Sequence, residues 1–144
     1  MGTALVTGAT SGIGEEFCWQ LAAAGHDLVL VARREDALRA LADSLANVAG
    51  VRAEVIAADL STDEGCARVA ARLDVGGPAD HDKPDLAPVD LLVNNAGFGL
   101  GTDFLDNSLD NEINGLNVMV RAVMTLAHHA GISMRSRGRG AILN

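Results

Sequence analysis

The stretch Thr3-Ala4-Leu5-Val6-Thr7-Gly8-Ala9-Thr10-Ser11-Gly12-Ile13-Gly14 passes from an apolar strand through a glycine-rich turn into an apolar-periodic helix. A strand that turns tightly into a helix N-terminus is a phosphate-binding device. The first helical amides lack partners, and the positive end of the dipole faces the same way. Gly8 permits the sharp exit from the strand, and Gly12 leaves no side chain between the backbone and a bound pyrophosphate. Gly14 lets helix and sheet pack closely. An absence is equally informative: the sequence has no tyrosine.

The 144 residues suit one domain large enough to bury a core. Apolar residues make up 49%, which excludes disorder, and aromatics only 3%, so Ala, Val and Leu must build that core. A formal net charge of −8 argues against a nucleic-acid partner. Cys18 and Cys66 fall in separate helices without metal-like spacing and read as buried free thiols, for which a reducing cytoplasm is the default compartment. No basic segment precedes an apolar run, and no stretch is long enough to span a bilayer, so no membrane partner is expected.

Outward from the glycine turn, strands and helices alternate. The first strand is Thr3–Thr7, and the helix Ile13–Ala24 is stopped by Gly25. Leu28–Ala32 is a near-continuous apolar run, as in a parallel strand covered on both faces. Glu35–Asn47 places Leu38, Leu41 and Leu45 at helical spacing, and Arg52–Ala57 alternates as a strand. Ser61 with Glu64 three residues on reads as a capping box for a helix through Leu73. Asp90–Asn94 is the next strand, followed by one long helix from about Leu109 to Met134 and a final strand from Ala141. This alternation selects a doubly wound α/β fold with a parallel sheet of the Rossmann kind. The expected strand order is 3-2-1-4-5, with the ligand at the carboxyl ends where the order reverses. Asp74–Pro88 breaks the rhythm with three prolines, Gly76, Gly77, His81 and four aspartates, and reads as an exposed loop. Within it Asp80-His81-Asp82 makes no metal site, because no further ligands converge on it.

Three further motifs follow the glycine turn in order. Asp59-Leu60 closes the third strand, Asn94-Asn95-Ala96-Gly97 closes the fourth, and Asn117 sits within Leu116-Asn117-Val118-Met119. With the Gly-x3-Gly-x-Gly spacing of the turn, the set resembles the short-chain dehydrogenase/reductase family, in its single-domain, ketoreductase-like branch. The resemblance runs over essentially the whole chain. It implies cofactor contacts from Gly8, Thr10, Ser11, Gly12, Ile13 and Gly14. Further contacts are implied from Arg33 and Arg34, from Asp59 and Leu60, and from Asn95, Ala96 and Gly97. Asp59 would accept from the adenine amino group, and the small residues of the Asn94–Gly97 turn would let the backbone approach the adenosine ribose. Phe98 has no role beyond packing. An asparagine on an apolar helix face costs free energy unless its amide finds partners. For Asn117 the resemblance implies a local kink and a water held in a proton relay, which makes it the candidate catalytic residue.

The end of the second strand sets the choice of cofactor. An acid there would bind the 2′-hydroxyl of NAD, whereas an arginine accommodates the 2′-phosphate of NADP. Here Ala32 is followed by Arg33 and Arg34, so NADP is expected, with Arg33 gripping the phosphate by charge-assisted bonds and Ser11 adding a hydroxyl. Glu35 and Asp36 suit the first turn of a helix for dipole reasons alone.

The family's chemistry needs a tyrosine as proton donor, a lysine four residues later and a serine on the fifth strand. This sequence has no tyrosine, and its only lysine is Lys83. His128 and His129, near a helix end, read as surface histidines. The expectation is therefore the cofactor-binding part of a longer oxidoreductase acting on a small carbonyl or secondary alcohol, broken within or after the fifth strand. Beyond Asn144 a serine and a Tyr-x3-Lys helix are expected to follow. Alone, the chain is expected not to turn over. The competing reading is a non-catalytic short form that binds nucleotide or another protein. Helix 109–134 matches the element through which family members commonly form homo-oligomers.

Overall fold

The computed structural model describes residues 2–78 and 86–144. Asp80-His81-Asp82 and Lys83, within residues 79–85 of the loop expected over 74–88, lie outside the described residues. Five parallel strands, β1 (Thr3–Thr7), β2 (Asp27–Ala32), β3 (Ala53–Ala57), β4 (Val89–Val93) and β5 (Ala141–Leu143), form one sheet in the order β3-β2-β1-β4-β5. The order is the one the alternation implied, and the fold is Rossmann-like.

β1 lies at the centre and is buried along its whole length, so it tolerates no polar alternation. On one face Ala4, Val6, Leu28 and Leu30 pack on Cys18 and Ala22 of α1 (Gly12–Ala23) and on Leu38, Leu41 and Leu45 of α2 (Glu35–Ala49). On the other face Leu5, Val29, Val31 and Leu92 meet Cys66, Val69 and Leu73 of α3 (Asp63–Leu73) and Leu126, Ala130 and Met134 of α5 (Val123–Arg137). Each fully buried leucine contributes about 1.5–3 kcal/mol of transfer free energy. Cys18 and Cys66 are free and buried. Among the described residues no helix is long and apolar enough to cross a membrane, and no cluster of His, Cys, Asp and Glu could hold a metal ion.

Several local expectations need correction. Thr62, not Ser61, caps α3: its hydroxyl accepts from the Gly65 amide at 3.0 Å, because the Ser61 hydroxyl is turned back onto Asp59. The third strand stops at Ala57, so Asp59 and Leu60 lie in the turn beyond it, and the fourth runs Val89–Val93. The single long helix is three pieces: α4 (Leu109–Leu116), a π-helical segment Asn117–Ala122, and α5. Its inward side presents Gly115, Val118, Ala122, Leu126 and Ala130. Its outward side carries Leu109 (70% exposed), Ile113, Leu116 (61%), Val120 and Met124 (65%) at helical spacing. Phe98 is not a packed aromatic but 40% exposed.

Arg137 ends α5 and holds its exit against the start of β4, with one bond to Asp90 and one to the Val89 carbonyl, both 2.7 Å. β5 then pairs with β4 through Leu91↔Ala141, Leu92↔Ile142 and Val93↔Leu143, and all three of its residues are exposed at the sheet edge.

Candidate functional site

The glycine turn, Arg33, Asp59 and the Asn94–Gly97 turn all follow the carboxyl ends of strands, and hydrogen bonds show how the turns are held. The centre of the arrangement is Thr7. Its hydroxyl donates to the Val93 carbonyl at 3.4 Å and accepts from the amides of Asn95 and Ala96, both at 3.0 Å, using all the capacity a hydroxyl has. The Asn95 carboxamide answers with bonds to the carbonyls of Thr7 (3.1 Å) and Gly8 (3.3 Å). The ends of β1 and β4, where the strand order reverses, are thereby stitched into one unit. Ala9 adds a bond from its amide to the Val31 carbonyl of β2 at 3.1 Å.

A prediction follows for Thr7. Thr7→Val leaves the Ala96 amide without its acceptor, while the Asn95 main-chain amide keeps only its 3.1 Å contact to the Val93 carbonyl. The expected loss is about 1–3 kcal/mol, the usual cost of an orphaned donor. Urea unfolding checks this against Thr7→Ser, which keeps the hydroxyl. Equal midpoints for the two variants would mean that the stitch carries no stability.

The turn itself is shaped for a close ligand. Gly12 has φ +54°, a region that favours glycine, and a Cβ built on it meets nothing within 4 Å, so its outer face is open. Ser11 is extended at the N-cap of α1, its hydroxyl makes no cap bond, and Ile13 is 72% exposed. The first-turn amides of α1 point into this open space, with Glu15 the acid in that turn.

Arg33 and Arg34 stand exposed after β2, and among the described residues neither guanidinium has a hydrogen bond or ion pair. The charge of Arg33 reaches Asp59. Asp59 is itself oriented: its Oδ1 accepts from the Ser61 amide (2.9 Å) and the Ser61 hydroxyl (2.8 Å). Those two bonds, the amide's first, hold the Asp59 carboxyl below the usual carboxylate range against the opposing effect of burial, and Arg33 adds to them.

The π-helical segment lies over the turn that ends β4, since a Cβ built on Gly97 sits 3.6 Å from Met119 Cγ. Asn117 opens that segment. It is half-buried rather than enclosed by its apolar neighbours, and its carboxamide makes no hydrogen bond among the described residues. The structure thus joins the glycine turn to Asn95 and Ala96 by hydrogen bonds, and Arg33 to Asp59 by charge. Asn117 shares the segment that covers Gly97 but makes no hydrogen bond to the other candidates among the described residues. Thr7 and Thr62 escaped sequence reasoning, in which Ser61 reads as a helix cap rather than as the partner of Asp59. The signal for Thr7 was present: a hydroxyl at the end of a strand buried on both faces needs partners.

A family model described as short chain dehydrogenase matches residues 2–144. The chain belongs to that family. A short chain dehydrogenase of Pseudocercospora fijiensis is 33% identical over 99% of this chain and 43% of its own length. Among solved structures, a short-chain dehydrogenase from Sphingobium yanoikuyae in complex with NADPH is 34% identical, with a TM-score of 0.88 over 99% of this chain and 52% of that one. L-sorbose reductase from Gluconobacter frateurii, complexed with NADPH and L-sorbose, is 33% identical with a TM-score of 0.85, covering 98% of this chain and 50% of that one. The chain therefore spans about half the length of these short-chain dehydrogenase relatives. As in them, the fold is Rossmann-like, with a parallel sheet in the order β3-β2-β1-β4-β5.

Proposed function

We propose that the chain binds NADP(H) at the strand ends and is the cofactor-binding part of an oxidoreductase acting on a small carbonyl compound or secondary alcohol. The observation that carries the reading is the pair of exposed arginines after β2, where an acid would select NAD; among the described residues neither guanidinium makes a hydrogen bond or ion pair. The residues present fit that cofactor. The amides at Gly12 and Ile13 face open space for the pyrophosphate, with Thr10 and Ser11 beside them. Arg33, with Arg34 next to it, meets the 2′-phosphate. Asp59 and Leu60 bracket the adenine, and Asn95, Ala96 and Gly97 let the ribose approach. The bound cofactor supplies a hydride. This chain's own part is to orient it, and Asn117 presents a carboxamide with no hydrogen bond among the described residues, able to hold a water near the reacting end.

Two short-chain dehydrogenase relatives, from Sphingobium yanoikuyae and Gluconobacter frateurii, were solved with NADPH, which supports the same choice here. The buried thiols suit a reducing cytoplasm, with Cys18 pushed up to about 12 by burial and the nearby Glu15 charge. The outward apolar face of α4, the π segment and α5 is the surface we assign to a second copy of the chain.

Calorimetric titration tests the cofactor assignment. NADPH is expected to bind about tenfold to a hundredfold more tightly than NADH, the worth of one charge-assisted phosphate contact. Arg33→Ala is expected to abolish that difference while leaving NADH binding nearly unchanged. Equal affinities in the parent chain, or a variant that keeps the preference, would contradict the assignment.

A further inference from the structure

Arg121 has no place in the reading so far, yet it bridges two parts of the proposed site. It sits in the π-helical segment that Asn117 opens, and its guanidinium spreads over the turn after β3. Nη1 donates to Asp63 Oδ1 at 2.5 Å and Nη2 to the Ser61 carbonyl at 3.1 Å. Ser61 is the residue whose amide and hydroxyl orient Asp59. The other side-chain bonds at this turn stay local: Thr62 Oγ1 to the Asp59 carbonyl (2.8 Å) and Cys66 Sγ to the Leu60 carbonyl (3.3 Å). Among the described residues Arg121 alone ties the turn by a side-chain hydrogen bond to the helix that carries Asn117.

The pair with Asp63 would carry little by itself, because the Asp63 side chain is 92% exposed and such pairs are weak in water. The geometry is what distinguishes it. A rigid planar fork that engages a carboxylate and a backbone carbonyl two residues apart fixes a turn in a way a point charge does not. π-helical turns are uncommon and collect at functional positions. Here one such turn places Asn117 at its start and Arg121 within it, on the flank facing α3.

We propose that Arg121 is a positioning residue that couples the adenine-side turn Asp59–Asp63 to the π segment of Asn117. A ligand seated against Asp59 is then registered at Asn117 without touching it. The inference rests on the dinucleotide site proposed above. By reciprocity, whatever engages Asn117 changes affinity at the adenine end by the same factor.

The test uses adenosine 2′,5′-bisphosphate, which reaches only the adenine end, titrated into the 144-residue chain and followed by NMR. In the parent chain the signals of Arg33 and Leu60 are expected to shift, and with them the side-chain amide of Asn117. In Arg121→Gln the affinity is expected to fall about threefold to tenfold, the scale of one ordinary hydrogen bond, because Arg121 acts on the ligand only through the turn. The Asn117 signal should then stay still at saturation while Leu60 still moves. Arg121→Lys, which keeps the charge but not the fork, is expected to restore part of the affinity and part of the response. It carries the test if the glutamine variant does not fold. An Asn117 response that is the same in all three proteins, or missing from the parent chain although the probe binds, overturns the coupling and leaves the site standing. A parent chain that does not bind the probe overturns the site and the coupling together.

Discussion

Gly14→Ala is expected to abolish NADP(H) binding and to cost the fold about 2–4 kcal/mol, more than overpacking alone because a hydrogen bond goes with it. A Cβ built on Gly14 lies 2.1 Å from the Gly8 carbonyl oxygen and 2.4 Å from Asn95 Nδ2, distances at which the backbone must move. The Gly8 carbonyl cannot retreat freely, because it accepts from that same Asn95 carboxamide at 3.3 Å. Displacing it disturbs the Thr7–Asn95 stitch, and with it the turn on which the phosphates would rest. Gly12→Ala makes the contrasting control. Its Cβ meets nothing, so the expected cost is only the strain of a left-handed residue, about 1–2 kcal/mol, with binding lost because the methyl stands where the pyrophosphate approaches. Thermal melts paired with NADPH titrations separate the two. A Gly14→Ala protein as stable as the parent would show that helix and turn are not packed as described.

The second large effect concerns turnover. The 144-residue chain is expected to oxidise NADPH in the presence of ketones at least a hundredfold more slowly than full-length relatives. Hydride delivery without a positioned acid leaves an alkoxide to form unaided, and general acid catalysis typically supplies about 10²–10⁴-fold. The sequence has no tyrosine to act as that acid. The two histidines of α5, His128 and His129, are in the wrong place. His129 is held by Asp74 at 2.8 Å where α3 ends, and α5 runs on from there to Arg137 at the start of β4, away from the strand ends that carry the site. Purified chain of verified mass, assayed with a panel of ketones, decides the point. Saturable NADPH oxidation would require a proton donor outside this account.

The strands and helices were legible because each buries one face or two, and the period of apolar residues records which. Leu38, Leu41 and Leu45 wrote α2 into the sequence, and the run Leu28–Ala32 wrote β2. Periodicity fails where a helix is apolar on both sides. Leu109, Ile113, Leu116 and Val120 are spaced as regularly as Val118, Ala122, Leu126 and Ala130, and only the fold tells which row meets the sheet. The π segment left no local pattern either, since a widened turn is set by tertiary packing, although an asparagine among apolar neighbours marked its place. The cap of α3 went to Thr62 because two adjacent hydroxyls compete and Asp59 captures the first. The site was readable to the extent that it consists of glycines, arginines and carboxamides with fixed chemical uses. Its supports, Thr7 and Ser61, act through the backbone and left only their polarity as a trace.

The central claim is that nucleotide sits across the strand ends with its 2′-phosphate at Arg33. The most direct measurement is an NMR titration of the chain with NADPH, reading every assigned backbone amide. The account predicts that Gly12, Ile13, Arg33 and Asp59 shift together with one dissociation constant, which rises about tenfold or more when NADH replaces NADPH. A separate groove lies between α3 and α5, lined by Cys66, Ala70, Thr125 and His129, and shifts confined to it, with the strand ends silent at saturation, would contradict the claim.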